Sequence, residues 1–158
     1  MVAEMITGRT LQLRIDDEVI ALIRQSFLGR SFRAECAEGD YAIKRTGVLV
    51  FTLTVRDSVG VGDLATHRGG LRGAQPLTFA DGRSYELYRP DMRQLIWAWT
   101  LVDHTPIVTF RHEPRWNHDP VAVEVGLASG HADRIPVLIL VGSALVLEAI
   151  RISRIPKS

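Results

Sequence analysis

Between Thr10 and Leu127 apolar side chains recur at every second position in short runs, and Gly, Asp, Pro or Ser interrupts them roughly every ten residues, the spacing of an antiparallel sandwich or barrel. A period of two sends successive side chains to opposite faces, so each run has one face to bury. Leu11, Leu13 and Ile15 alternate with Gln12 and Arg14, and the nearly continuous apolar run Val19 to Ile23 follows across Asp16-Asp17-Glu18 as the second arm of a hairpin. Phe32, Ala34 and Cys36 alternate with Arg33 and Glu35, and Glu38-Gly39-Asp40 turns the chain into Tyr41-Ala42-Ile43-Lys44, a second hairpin. From Val48 to Val55, Leu49, Phe51, Leu53 and Val55 share one face and Val50, Thr52 and Thr54 the other. The β-branched content favours a strand.

Gly60, Gly62, Gly69, Gly70 and Gly73 then punctuate a weakly apolar region where short strands, bulges or a mobile loop all fit. Order returns with Leu77 and Phe79, a tight turn at Asp81-Gly82, and Tyr85, Leu87 and Arg89 alternating with Glu86 and Tyr88. Leu95, Trp97, Trp99 and Leu101 share a strand face, and Asp103-His104-Thr105-Pro106 leads into Ile107 to Phe110. The polar segment His112 to Asp119, between Arg111 and Pro120, reads as an exposed connection, and Val121, Val123, Val125 and Leu127 form the cleanest alternation. The strands are thus expected over about 10–128, with the first few residues and Pro156-Lys157-Ser158 as loose ends.

The last element breaks the period. Ile135 to Leu147 carries no charge, with Asp133 as N-cap and Pro136 in the first turn of a helix over about 134–152. This stretch spans about 20 Å as a helix, short of the ~30 Å hydrocarbon core, so crossing a bilayer would draw Glu148 and Arg151 into lipid. A helix apolar all round but too short to span is expected to be buried by its own domain. A membrane anchor, with Arg151, Arg154 and Lys157 on the cytoplasmic side, is the alternative.

Size and charge narrow the picture. The 158 residues suit a single domain, 1–158, with a core that needs no staple, and 46% hydrophobic against 23% charged residues is ordinary globular composition. The net charge of +1, with both signs scattered along the chain, implies no long-range field that would recruit nucleic acid or an anionic membrane. Cys36 is the sole cysteine, which excludes an intramolecular disulfide and suits a reducing, cytoplasmic compartment. The first residues lack the basic flank and apolar run of a secretory signal.

Tyr41-Ala42-Ile43-Lys44-Arg45, Gly82-Arg83-Ser84-Tyr85-Glu86-Leu87, Trp97-Ala98-Trp99-Thr100-Leu101-Val102-Asp103 and the apolar segment Ile135 to Ile152, in this order, resemble the Tubby C-terminal-like superfamily. That group includes Tubby domains, plant LURP-one-related proteins and phospholipid scramblases, and the compact length is similar to its small bacterial members. The resemblance covers nearly the whole chain as a pattern of elements. It implies a mainly β fold: a closed antiparallel barrel of about twelve short strands around a buried hydrophobic C-terminal helix. The chain departs from the group in having neither a scramblase-like cysteine cluster nor a scramblase calcium segment. The basic residues with which Tubby domains hold phosphoinositides find no aligned counterpart, so no binding residue carries over.

Candidate chemistry is sparse. His112, Glu113, His118 and Asp119 are metal-ligand types within one segment, but their order matches no zinc spacing and solvated loop residues explain them better. His67, His104 and His131 fit surface turns. Ser143 lies inside the apolar segment without a nucleophile elbow around it. Arg68-Gly69-Gly70-Leu71-Arg72-Gly73 offers donors for an anion but no P-loop lysine, and reads as a flexible β-loop. Cys36 fits a small buried hydrophobe, and Trp97 and Trp99 fit the core better than a stacking platform. Arg24, Arg30, Arg33, Lys44 and Arg45 would attract phosphates if folding gathered them on one surface.

The expected function is therefore a non-enzymatic binding or scaffold domain for a phospholipid head group or a protein. No catalytic, cofactor-binding or metal-binding residue is assigned, no cofactor and no nucleic acid is expected, and the location is cytoplasmic with peripheral membrane association open. The membrane-anchored protein is the alternative, and an enzyme without a recognisable motif comes third.

Overall fold

The computed structural model describes residues 1–7, 9–26, 31–37, 39–47, 50–60, 62–70, 76–89, 96–113, 120–126 and 130–153. In chain order the strands are β1 (Val2–Thr7), β2 (Thr10–Ile15), β3 (Glu18–Gln25), β4 (Ser31–Cys36), β5 (Gly39–Thr46), β6 (Val50–Asp57), β7 (Ala65–Gly70), β8 (Leu77–Phe79), β9 (Ser84–Tyr88), β10 (Ile96–Thr100), β11 (Pro106–His112) and β12 (Val121–Val125). Helix α1 (Ile135–Ser153) follows. Each strand pairs antiparallel with the next, and β1 pairs with β12, so the sheet closes into an up-and-down barrel. Closure leaves no edge for another chain to extend.

Cross-strand partners share a face, so the register identifies what points into the lumen. One rung runs Phe32, Ile43, Val55, Ala65, Phe79 across β4 to β8, and another runs Leu87, Trp99, Val108, Val125 across β9 to β12. These residues alternate with the polar positions of each strand, which is why the period of two was so visible. Every residue of α1 from Val137 to Ala144 is buried. Burial over more than two consecutive turns means wall on every side, so this part of the helix fills the lumen. Among the described residues no helix is long and apolar enough to cross a membrane.

Two contacts fix the helix in depth and rotation. The Trp99 indole Nε1 donates to the Leu138 carbonyl at 2.8 Å. At Gly142 the helix backbone meets the same wall so closely that a Cβ there would lie 2.6 Å from Trp99 Nε1 and 2.5 Å from Phe110 Cε2. Trp97 and Trp99 are core residues, as expected from their shared face.

Four features depart from the sequence reading. The first residues are not a loose end: β1 supplies the strand that closes the barrel, pairing Val2 with Ala122 and Ala3 with Val121. Its Glu4 and Thr7 obscure the alternation. The glycine-punctuated region contains β7, in which Gly69 faces Phe51, whose Cε1 would lie 2.7 Å from a Cβ at that position. The glycine there admits a ring rather than loosening a loop, and residues 71–73 of that motif lie outside the described residues. The first residue of the expected connection belongs to a strand instead, with His112 paired to Val121 and buried. Finally, the Leu138 N–H donates to the Arg134 carbonyl at 3.0 Å, which makes Arg134 the capping residue, while the Asp133 carboxylate turns to Arg83 and Arg134.

Candidate functional site

In an up-and-down barrel alternate turns share an end. The β2–β3, β4–β5, β6–β7, β8–β9 and β10–β11 turns therefore surround the same opening through which the chain passes from β12 into α1. The helix lies against β10, β11 and β12. Across from that wall Ala21, an inward residue of β3 beside the larger Ile23, brings only a methyl group to the space at the helix start.

The outcome is a cavity of about 650 Å³ at the mouth, between the first two turns of α1 and strands β2 to β4. Leu13, Val19, Ala21, Cys36, Ile139 and Leu140 form its walls, with Ile15 and Val125 at the opening. Ile15, Val19 and Val125 line this space yet remain 45%, 47% and 42% exposed. Ile15 and Val125 carry the packed rows of Leu13 and Val123 out to the mouth, and Val19 reaches it beyond the register shift between Leu13 and Arg14. Two carboxylates border the cavity, Glu18 and Glu35. Glu35 accepts from Arg24 Nη1 at 2.8 Å, and Cys36 Sγ donates to the Gly39 carbonyl at 3.1 Å.

On the far side of the helix start an ionic cluster ties the β8–β9 turn to the segment entering α1. Arg134 Nη2 donates to Asp81 Oδ2 at 2.7 Å, and Arg83 Nη1 donates to the Gly130 carbonyl at 3.0 Å. The buried Tyr85 places its hydroxyl 2.8 Å from His131 Nδ1, and burial pushes its phenol up. The backbone N–H of Arg83, then the Arg134 guanidinium, hold the Asp81 carboxyl below the usual carboxylate value. A depressed carboxylate contributes stability above its unfolded pKa and loses it as pH falls through the folded value. Asp81→Asn should therefore lower the melting temperature near neutrality, by an amount that shrinks as pH falls through the folded value and the parent carboxylate takes up its proton. Thermal melts of the pair over a series from neutral to acid pH check this.

Charge scattered along the sequence is sorted in space. Among the described residues the mouth end carries Asp16, Asp17, Glu18, Glu35, Asp40, Asp57, Asp63, Asp81, Asp103 and Asp133, opposed by Arg14, Arg56, Arg83, Arg134 and the amine of Met1. Toward the other end lie Arg9, Arg24, Arg33, Lys44, Arg45, Arg68 and Arg89 against Glu113. A net charge near zero thus conceals an acidic mouth and a basic base, which amends the expectation of no directed field.

The residues singled out by sequence are dispersed. Arg24 and Arg33 are direct cross-strand partners on the outer face, with exposed Lys44 on the next strand, whereas Arg45 lies on the opposite side, its guanidinium 4.1 Å from the Phe51 ring centroid. Arg30 lies outside the described residues. His67 is not at a surface turn but buried in β7, 6.0 Å from the Trp99 ring. His104 is exposed at the β10–β11 turn and His131 is half-buried against Tyr85. Ser143 is fully buried, and its hydroxyl has no hydrogen-bond partner among the described residues, so nothing there activates it. His118 and Asp119 fall outside the described residues, and among those described no three His, Cys, Asp or Glu side chains gather as for a metal. Sequence reasoning missed the mouth cavity. Its one signal was Ile15 and Val19 flanking an acidic turn, apolar residues too close to a strand end to be covered.

No family model, no curated protein and no solved structure matches this chain.

Proposed function

We propose that the chain is a non-enzymatic binding domain that takes an apolar small molecule, or the apolar part of a larger one, into the mouth of its barrel. The observation that carries this reading is the 650 Å³ apolar cavity with Ile15, Val19 and Val125 left half in water around it. Ligand pockets run from about 300 to 1,000 Å³ and are mostly apolar with a few polar groups at fixed places. Covering apolar surface contributes roughly 25 cal/mol per Å², so an occupant here gains what the fold leaves unused.

The test is saturable binding of a neutral fluorescent probe, N-phenyl-1-naphthylamine. Val19→Asp should weaken it roughly tenfold, the worth of one lost apolar contact of ~1.4 kcal/mol. Val102→Asp, at an exposed site in the β10–β11 turn, should bind as the parent does. Equal affinities in the two variants, or no saturation, would remove the reading.

A second reading, recognition of phospholipid head groups, draws on the outward row Arg24, Arg33 and Lys44. Arg33 and Lys44 are both exposed. Salt-sensitive retention on vesicles containing phosphorylated anionic lipid, absent on neutral vesicles, is what it requires. Kinship with the Tubby C-terminal-like superfamily remains a proposal of the same kind, supported by the closed twelve-strand barrel and its C-terminal helix. So does a cytoplasmic setting. Anchoring by α1 would require Val137 to Leu147 to leave the lumen that now buries most of them.

A further inference from the structure

We propose that the occupant of the mouth is a cationic amphiphile, an apolar body ending in a protonated amine or quaternary ammonium, with its charge held at the rim beside Glu18. This rests on the reading of the mouth as an apolar-ligand site and adds the chemical class.

The cavity separates its chemistry by depth. Its inner wall is Leu13, Ala21, Ile139 and Leu140, which offers nothing to a charged or hydrogen-bonding group. Its rim holds Glu18, directly across the β2–β3 pair from Ile15, so a carboxylate and an exposed apolar side chain stand together at the entrance. Arg14, the nearest cation along β2, is engaged by Asp17 at 3.0 Å. Arg24 is engaged by Glu35. Glu35 in turn lies directly opposite Asp40 on β5, and like charges in that relation repel. Met1 also lines the cavity and brings one ammonium to this end, but Asp16, Asp17, Glu18 and Asp40 outnumber it together with Arg14, so negative charge is in excess around the opening, on the rim of a low-dielectric space that strengthens its field.

A ligand that fills the apolar wall must leave its polar end at this rim. A carboxylate or phosphate placed there would meet Glu18 and the Glu35–Asp40 pair. An ammonium group would meet unlike charge, and the barrel's acidic end would also draw it in from solution. Coulomb attraction at partly exposed sites of this kind changes affinity on the order of tenfold, and salt screens it.

Displacement of N-phenyl-1-naphthylamine by three ligands of equal chain length tests the assignment: octylammonium, octanol and octanoate. Octylammonium is expected to displace roughly tenfold more effectively than octanol, and octanoate least, with the spread narrowing as ionic strength rises. Glu18→Gln should remove most of the difference between octylammonium and octanol. Equal displacement by octylammonium and octanol, or strongest displacement by octanoate, would overturn the cationic assignment while leaving the apolar mouth in place. Failure of all three to displace a bound probe would overturn the cationic assignment, and failure of the probe itself to bind would overturn both.

Discussion

Gly142→Leu is expected to abolish the cooperative melting transition or to lower its midpoint by at least ~10 °C. The physical cause is proximity. The Cβ of any side chain at this position would sit 2.6 Å from Trp99 Nε1 and 2.5 Å from Phe110 Cε2, inside van der Waals contact with two rings that are themselves fully or nearly fully buried. Relief requires the helix to move off the wall, and the Trp99 hydrogen bond to the Leu138 carbonyl resists that movement. Overpacking of this sort costs about 1–3 kcal/mol for small excesses and more for a whole isobutyl group. A loss of about 3 kcal/mol in a chain of this size corresponds to roughly 10 °C. Gly142→Ala makes the argument sharper, because in a free helix alanine is favoured over glycine by ~1 kcal/mol. Here the sign should reverse. A Gly142→Ala protein that melts higher than the parent, by differential scanning calorimetry, would show that the close approach is not there.

Leu138→Asp is the second substitution with a large expected effect. Leu138 is 0% exposed and belongs to the buried stretch of the helix that the barrel surrounds. Its neighbours in the core are hydrocarbon and aromatic, so an aspartate there would have to enter the lumen either charged and unpaired or protonated. Either form costs several kcal/mol, against a total stability of about 5–15 kcal/mol for a domain. Chemical denaturation should show the folded baseline lost in water or the midpoint shifted by most of its parent value. A variant that unfolds in two states with a midpoint close to that of the parent would mean that this face of α1 meets solvent.

Most of the barrel was legible because its cause is local. Rows such as Leu11, Leu13 and Phe51, Leu53, Val55 alternate with polar residues, and turns at Asp16-Asp17 and Asp81-Gly82 fall between the rows. The uncharged stretch from Ile135 declared its burial by length and by lack of a polar side. What stayed hidden depends on partners far away in the chain. Val2 to Thr7 forms a strand because β12 and β2 flank it, not because its own sequence alternates. Ala65, His67 and Gly69 form an inward row whose glycine makes sense only once Phe51 is known to lie over it. The cavity was harder still. It is a property of the space left between strands β2 to β4 and the first turns of α1 once the helix has settled against β10 to β12, and no run of residues encodes a difference of that kind. The sorting of charge between the two ends was in the sequence but unread: the acids cluster at every second turn, a spacing that acquires meaning only when alternate turns meet.

The seam between β1 and β12 has a consequence for how the molecule is made. Every other neighbouring pair of strands is adjacent in sequence and can form as soon as its hairpin exists, whereas this joint unites the two extremes of the sheet through the pairs Val2 with Ala122 and Ala3 with Val121 and a bond from the Val123 N–H to the Met1 carbonyl at 2.8 Å. A growing polypeptide therefore lays down a curling ribbon from its first strand onward, with the opening edge waiting for the last strand to arrive. Because the plug is synthesised after that strand, a closed cylinder assembled too early would shut it out. The joint is short, two residue pairs, so a late closure there asks few bonds to form after the helix has docked on β10 to β12.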